Sequence, residues 1–481
     1  MSGLSSRAAR RAAPKAGSIP SGDRTTCPTG EGLSWIGIAR LGLVQAMLGA
    51  VVVLTTSTLN RVMVVEFALP ALLPGLLVAL HYAVQISRPR MGFGSDVGAR
   101  RTPWIIGGIV VLATGGFLGA VATTWMGGAS RNAGLALAVL AFMLVGLGVS
   151  AAGTSLLTLL AKRVDAPRRA GAAALVWVMM IVGFALTAGV AGKFLDPYTP
   201  QRLMAVSGTV SLIAVVVAML ALWRLEGDAR SVITADAPMT ATRFRAALAE
   251  VWREPDARRF TIFVFVSMLA YSAQDLILEP FAGVMFGFTP GESTQLSGVQ
   301  HGGTLAGMLL AALAGRRAFG VGFGSLRVWT VWGCVASCIA LAGLAFAGFG
   351  GSAVTAYWPL RANVFVMGVA NGAFSIAAIG SMMALAGHGR GGREGTRMGL
   401  WGAAQAIGFA GGGLIGTALF DLARSIIGAP GPAYATVFAT EALVFVASAL
   451  LARHISVPAG VTGSDALPVL AGAPQPVEER S

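Results

Sequence analysis

The chain has 481 residues, 55% of them hydrophobic and 12% charged, with a formal net charge of +14. A soluble globular domain carries about 25% charged residues, so this is the composition of a membrane protein, and 65 glycines suit helices that pack closely without water. The basic residues recur in short clusters between apolar runs instead of covering one domain or face, which sets aside a nucleic-acid-binding function.

In chain order, residues 1–32 hold Arg7, Arg10, Arg11 and Lys15 without an apolar core. They read as a disordered cytoplasmic arm, not a signal peptide. Apolar runs long enough to span a bilayer, which takes about 20 residues, follow at Ile36 to Ser57, Phe67 to Ile86, Trp104 to Trp125, Gly134 to Leu160, Ala170 to Gly192 and Met204 to Trp223. A polar stretch, 224–259, separates them from six more at Thr261 to Phe281, Gln295 to Leu313, Val328 to Phe349, Trp358 to Leu385, Met398 to Leu419 and Tyr434 to Leu451. The polar stretch reads as a central cytoplasmic loop in which Phe244, Leu248, Val251 and Trp252 give one amphipathic helix. Residues 454–481 read as a disordered cytoplasmic tail. The chain is therefore an all-α membrane protein of twelve transmembrane helices, in a six-helix half at 33–223 and another at 260–453.

With both termini in the cytoplasm, only Arg61, Arg131, Lys193, Arg202, Arg361 and Arg424 of the 35 Lys and Arg fall on the outer side, which leaves 29 inside. Positive charge is retained on the cytoplasmic side, so this asymmetry sets the expected orientation. An internal repeat supports the division. A shift of 225 residues lays Gly183-Phe184-Ala185 on Gly408-Phe409-Ala410, Asp196 on Asp421 and Arg168 on Arg393.

The cysteines imply no disulfide framework: Cys27 lies in the arm, and Cys334 and Cys338 share a helix face as small apolar packing. Asp275 and Glu279 are four apart within the seventh span, so their carboxylates share a face in its outer half. Ionisable groups there face the bundle interior and mark an ion pair, a proton relay or a ligand. The open readings are a structural pair with Arg61 or Arg361, proton coupling, and binding of a ligand's metal or polar substituents. Gln274 adjoins them, and Glu441 in the twelfth span is a weaker candidate. Asn60, Arg61 and Glu66 read as an exposed salt-bridge cluster at the first outer connection. Asn371 and Gln405 read as interhelical hydrogen-bond bridges. His81 and His301 sit in spans, where packing competes with ligation. His388 and His454 lie at the inner surface. Glycines at 399, 402, 408, 411, 412, 413 and 416 give the eleventh span a small-residue face, for close packing or for a flat guest.

Gly92-Phe-Gly-Ser-Asp96-Val-Gly98-Ala-Arg100-Arg101 resembles the loop signature of the major facilitator superfamily. Glycine permits the turn, the acid pairs with basic groups or a helix N-terminus, and paired arginines anchor the cytoplasmic face. It departs from the pattern at Val97, where a basic residue is usual, and at Gly98, one position early. Arg316, Arg317 and Arg327 fill the equivalent second-half loop without its Asp.

Leu54-Thr-Thr-Ser-Thr-Leu-Asn60-Arg61-Val-Met-Val-Val-Glu66, Arg100-Arg101-Thr102-Pro103-Trp104-Ile105 and Ala273-Gln274-Asp275-Leu-Ile-Leu-Glu279-Pro280-Phe281 together resemble the PucC, or bacteriochlorophyll delivery, family of that superfamily. The resemblance runs from about Leu33 to Leu451. His81 in its His-Tyr-Ala-Val-Gln context and Arg88-Pro89-Arg90 look like the paralogue group once labelled a bacteriochlorophyll synthase chain. The resemblance implies a non-enzymatic factor of the bacterial inner membrane, with bacteriochlorophyll as cargo. It implies light-harvesting polypeptides, membrane lipid and pigment-synthesis enzymes as partners. The competing readings are a proton-coupled transporter of a lipophilic small molecule and a pigment-synthesis enzyme. The enzyme ranks last, because no paired Asp-x-x-x-Asp for magnesium diphosphate occurs in any predicted helix or inner loop.

Overall fold

The computed structural model describes residues 33–85, 100–128, 130–165, 168–226, 249–314, 325–388 and 394–455. The described residues form twelve long helices: α1 (Trp35–Glu66), α2 (Leu72–Val84), α3 (Thr102–Met126), α4 (Arg131–Arg163), α5 (Arg169–Leu195), α6 (Pro200–Leu222), α7 (Pro255–Phe286), α8 (Pro290–Ala314), α9 (Leu326–Thr355), α10 (Leu360–His388), α11 (Glu394–Ile427) and α12 (Pro430–Ala452). Ten are long and apolar enough to cross a membrane. The described part of α2 is shorter, and α8 is more polar because Glu292, Gln295, Gln300 and His301 lie along it. Successive helices run in opposite directions. α1 begins and α12 ends on one face, the terminal face; the odd-to-even connections lie on the distal face.

Local chemistry sets many of the ends. Ser34 caps α1 by accepting from Gly37 N at 3.2 Å, and Thr199 caps α6 from Arg202 N at 3.1 Å with Pro200 next. Thr289 and Glu292 form a capping box on α8: Glu292 N donates to Thr289 Oγ1 at 3.1 Å and Thr289 N to Glu292 Oε2 at 3.0 Å. α7 stops at Gly287, whose φ of 69° suits a residue without Cβ. α9 is interrupted by a non-helical Gly351.

Two expected boundaries move. The first span runs on past Ser57 to Glu66, because its polar Thr55–Arg61 stretch finds partners inside the bundle instead of water. The second starts at Leu72, not Phe67, behind a positive φ at Ala68 and the imino nitrogen of Pro70. Residues 1–32, 227–248 and 456–481, with most of the expected amphipathic helix, lie outside the described residues; of that helix, Val251 is buried and Trp252 exposed.

Within the first half α1 packs on α5 and α6, α3 on α4 and α6, and α2 on α4. In the second, α7 packs on α11 and α12, α9 on α10 and α12, and α8 on α10. The second set repeats the first with every helix number raised by six. The halves meet where α2 lies on α11 and α5 on α8, again a twofold-related pair. Glycine allows the second contact: a Cβ on Gly192 would stand 2.6 Å from the carbonyl oxygen of Gly291.

The residues matched by the repeat, Asp196 and Asp421, do equivalent work at the distal face. Asp196, ending α5, accepts from Gly291 N at 3.2 Å and Thr289 Oγ1 at 2.8 Å at the start of α8. Asp421, near the end of α11, accepts from Ala71 N at 3.1 Å and Leu72 N at 2.7 Å at the start of α2. Each half thus supplies a carboxylate to a helix N-terminus of the other, where unsatisfied N–H groups and the helix dipole favour negative charge.

Asp196→Ala with Asp421→Ala is expected to cost about 1 kcal/mol of unfolding stability per lost cap. In a background free of native cysteines it should also speed alkylation of a Thr294→Cys thiol, buried at the distal end of α8. Unchanged alkylation would show that these caps do not hold the distal ends together.

Candidate functional site

The polar stretch of α1 crosses the distal part of the seam between the halves. Two π-helical turns, Leu54–Thr58 and Val62–Glu66, bracket Leu59–Arg61. Such turns fit an extra residue into the helix and recur at functional sites. The hydroxyls of Thr55 and Thr56 turn back onto the carbonyls of Val51 and Val52, at 2.8 and 3.0 Å. Ser57, Thr58, Asn60 and Arg61 instead reach the second half.

Asn60 has the most specific task. Pro280 lies inside α7 and has no backbone N–H, so the carbonyl four residues earlier, at Leu276, loses its helical donor. Asn60 Nδ2 donates to that carbonyl at 2.6 Å, in a site where Asn60 is 1% exposed. A helix-breaking proline is tolerated at membrane depth when a neighbouring helix satisfies the freed group. The Leu-Asn-Arg and Glu-Pro segments of the sequence thus meet as the two sides of one contact.

Around it, Ser57 Oγ donates to Glu279 Oε1, and the hydroxyls of Thr58 and Thr294 share a 3.0 Å hydrogen bond. Arg61 pairs with Glu66 and donates to the carbonyl oxygen of Phe288 at 2.6 Å. Gly283 leaves room for this guanidinium, since a Cβ there would lie 2.9 Å from Arg61 Nη2. The exposed cluster expected from Asn60, Arg61 and Glu66 is therefore corrected. The Arg61–Glu66 bridge forms, but Asn60 and Arg61 are buried because α1 continues through this level.

Asp275 and Glu279 do share a face, and they separate in partner. Glu279 is buried and crosses the seam to Ser57, with Oε2 without a hydrogen bond. Asp275 is half-buried and accepts from Gln300 Nε2 of α8 at 3.1 Å. Arg61 stands near enough to Glu279 to act on it electrostatically. Arg361 is exposed and lies over the Phe288 ring, 5.6 Å from its centroid. Gln274, next to Asp275, is fully buried, and neither end of its amide has a partner among the described residues.

Both span histidines lie buried near the seam. His81 Nε2 meets Gln85 Nε2 at 3.0 Å, and its ring packs edge-on against Tyr82, which stacks on Phe409 across the seam with centroids 5.3 Å apart. His301 Nδ1 faces the carbonyl of Ser297 at 2.8 Å, and its ring packs against Phe184 at 4.9 Å. The repeat residues Phe184 and Phe409 thus occupy matching places on the two contact pairs.

Asn371 bridges helices as expected, accepting from Ser337 Oγ at 2.8 Å, while Gln405 Nε2 comes no closer than 4.0 Å to Met268 Sδ. Cys334 is buried in the core. On α11, Gly408, Gly412 and Gly416 are filled by α7, with Cβ positions at 408 and 416 falling 2.9 Å from Phe265 O and 2.8 Å from Ala273 Cβ. That part of the small-residue face serves close packing. Arg101 opens α3, its backbone N donating to both oxygens of Glu226 at 2.7 and 2.9 Å, beside Arg100; Gly92, Asp96 and Gly98 lie outside the described residues.

Ser57, Thr58, Thr294, Gln300 and Pro280 complete the site and were not among the expected functional residues. The one sequence signal for them was a proline within an apolar span, which demands a donor from elsewhere. The assembled site offers two carboxyls, hydroxyls and amides inside an apolar bundle, and among the described residues no group of three or more His, Cys, Asp or Glu is placed to hold a metal.

Comparison with known proteins gives concordant results. The sequence profile described as PUCC protein matches residues 58–460. The chain is 51% identical over 423 residues to the bacteriochlorophyll synthase 44.5 kDa chain of Rhodobacter capsulatus, covering 88% of this chain and 96% of that one. It is 32% identical to Protein PucC of the same organism, covering 85% and 90%. Among solved structures it resembles the nucleoside transporter NupG, with TM-score 0.62 at 14% identity over 87% of this chain and 99% of that one. It also resembles a proton-dependent oligopeptide transporter, with TM-score 0.60 at 15% identity over 87% and 98%. The fold is that of the major facilitator transporters.

Asn60→Leu is expected to cost about 1–3 kcal/mol, the penalty of an unsatisfied buried carbonyl. In a Pro280→Ala background, where residue 280 regains its N–H, the same substitution should cost less than half as much in detergent unfolding. Equal costs in both backgrounds would sink the assignment of Asn60 to the proline's orphan carbonyl.

Proposed function

The chain belongs to the PucC family, and on that premise we propose that it is a membrane assembly factor that binds or delivers bacteriochlorophyll, or a late precursor, while photosynthetic complexes are assembled. The observation that carries this reading is 51% identity over 88% of the chain to a Rhodobacter capsulatus protein named for bacteriochlorophyll synthesis. The protein acts on pigment as cargo and catalyses no step; its transporter-type fold and hydrogen-bonding seam support a binding role. Its partners are the light-harvesting polypeptides that receive pigment and the enzymes that supply it. It resides in the bacterial inner membrane with the terminal face in the cytoplasm, a placement supported by the basic residues of the sequence.

On this reading the seam is the pigment's polar anchor. Asp275, Glu279, Gln274, His81, His301, Asn60, Arg61 and Glu66 are the candidate groups for pigment or proton. His301 is covered by Phe184 of the other half, so ligation of a pigment magnesium by it requires the halves to part. A second reading, a proton-coupled transporter of a lipophilic molecule, is favoured by one specific observation: Asp275 and Glu279 stand beside the seam of a fold shared with a proton-dependent transporter.

Purified in mild detergent from a phototrophic host, the wild type is expected to show stoichiometric bacteriochlorophyll absorption. An Asp275→Asn, Glu279→Gln variant that remains folded should lose it. A colourless wild type from pigment-rich cells would overturn pigment binding, and proton-dependent flux into vesicles would then favour the transporter.

A further inference from the structure

Inside the second half, three aromatic rings mark one level of the bundle. Tyr271 of α7 packs on Phe374 of α10 with centroids 6.5 Å apart, and Phe374 packs on Phe445 of α12 at 5.8 Å. About one helical turn distal to each ring stands a polar residue: Gln274 on α7, Asn371 on α10 and Glu441 on α12. The register follows from helix direction, since α7 runs toward the distal face while α10 and α12 run away from it. Two turns further out on α7, Phe281 packs on Phe438 at 5.0 Å and on Tyr434 at 5.5 Å, and closes the level from the other side.

The three polar residues are 0%, 0% and 4% exposed. Gln274 Oε1 and Nε2, Asn371 Nδ2 and both carboxyl oxygens of Glu441 have no hydrogen-bond partner among the described residues. Asn371 is anchored at its other end by Ser337 of α9. Buried amides and carboxyls left in that state are costly, and helices placing three of them at one level between two aromatic layers point to a small guest shared among them. The groups include acceptors and N–H donors together, so the guest must both give and take hydrogen bonds. Water does so and commonly makes about three such bonds when buried.

We infer that Gln274, Asn371 and Glu441 form an internal water-binding site in the second half. The inference goes beyond the pigment reading, with which it shares Gln274.

Radiolytic hydroxyl-radical labelling of the purified full chain, read by mass spectrometry, tests it, because a bound water generates radicals beside side chains that bulk solvent does not reach. Phe374 and Phe445 are expected to be oxidised several-fold more than Phe142, which is equally buried in the first half. Glu441→Leu with Gln274→Leu should bring them down to the Phe142 level, and Glu441→Gln, which keeps hydrogen-bonding capacity, should preserve the labelling. Wild-type labelling no higher than that of Phe142 overturns the site without recourse to any variant. Labelling that falls when choline is replaced by sodium overturns water in favour of an alkali cation, and labelling indifferent to salt supports water.

Discussion

Pro280 deprives α7 of one backbone donor in the middle of an apolar bundle, and the carbonyl this frees at Leu276 has to be met from another helix. Asn60 meets it, and to do so α1 must stay helical for two turns past the point where its composition turns polar. The two π turns on either side of Leu59–Arg61 accommodate that continuation. Once Asn60 is engaged, Ser57 faces Glu279, Thr58 faces Thr294 and Arg61 reaches the end of α7. One missing N–H therefore organises the distal seam between the halves, in a medium where an unsatisfied polar group costs several kcal/mol.

The twofold relation between the halves explains the second set of cross-seam contacts. Asp196 and Asp421 are equivalent in the repeat, and α8 and α2, whose N-termini they cap, are equivalent as well. A carboxylate that caps a helix of the other half is duplicated by the symmetry, so the distal face is held at two places by one device. The α1–α7 contact has no such copy, because Asn60 and Pro280 are not matched by the 225-residue shift. The symmetric contacts close the seam, and the asymmetric one gives it distinctive chemistry.

Ser57, Thr58, Asn60 and Arg61 are engaged across the seam, so a guest that took their places would compete with bonds between the halves. A planar macrocycle gains no entry along the Gly408–Gly416 face of α11, which α7 already fills.

From the sequence alone came the membrane class, the two-half division, the sharing of a face by Asp275 and Glu279, and the family resemblance. These rest on local quantities: run length, charge placement, a four-residue spacing and contiguous motifs. The end of the first span was misjudged because a polar run in an apolar segment looks like its exit into water unless its partners are known. The partnership of Asn60 with the Leu276 carbonyl, the exchange of caps by Asp196 and Asp421, and the polar layer of Gln274, Asn371 and Glu441 were decided only by tertiary structure. Each depends on the relative rotation and depth of helices far apart in the chain, and in a bundle apolar on all sides no periodicity in the sequence records which face of a helix meets which neighbour.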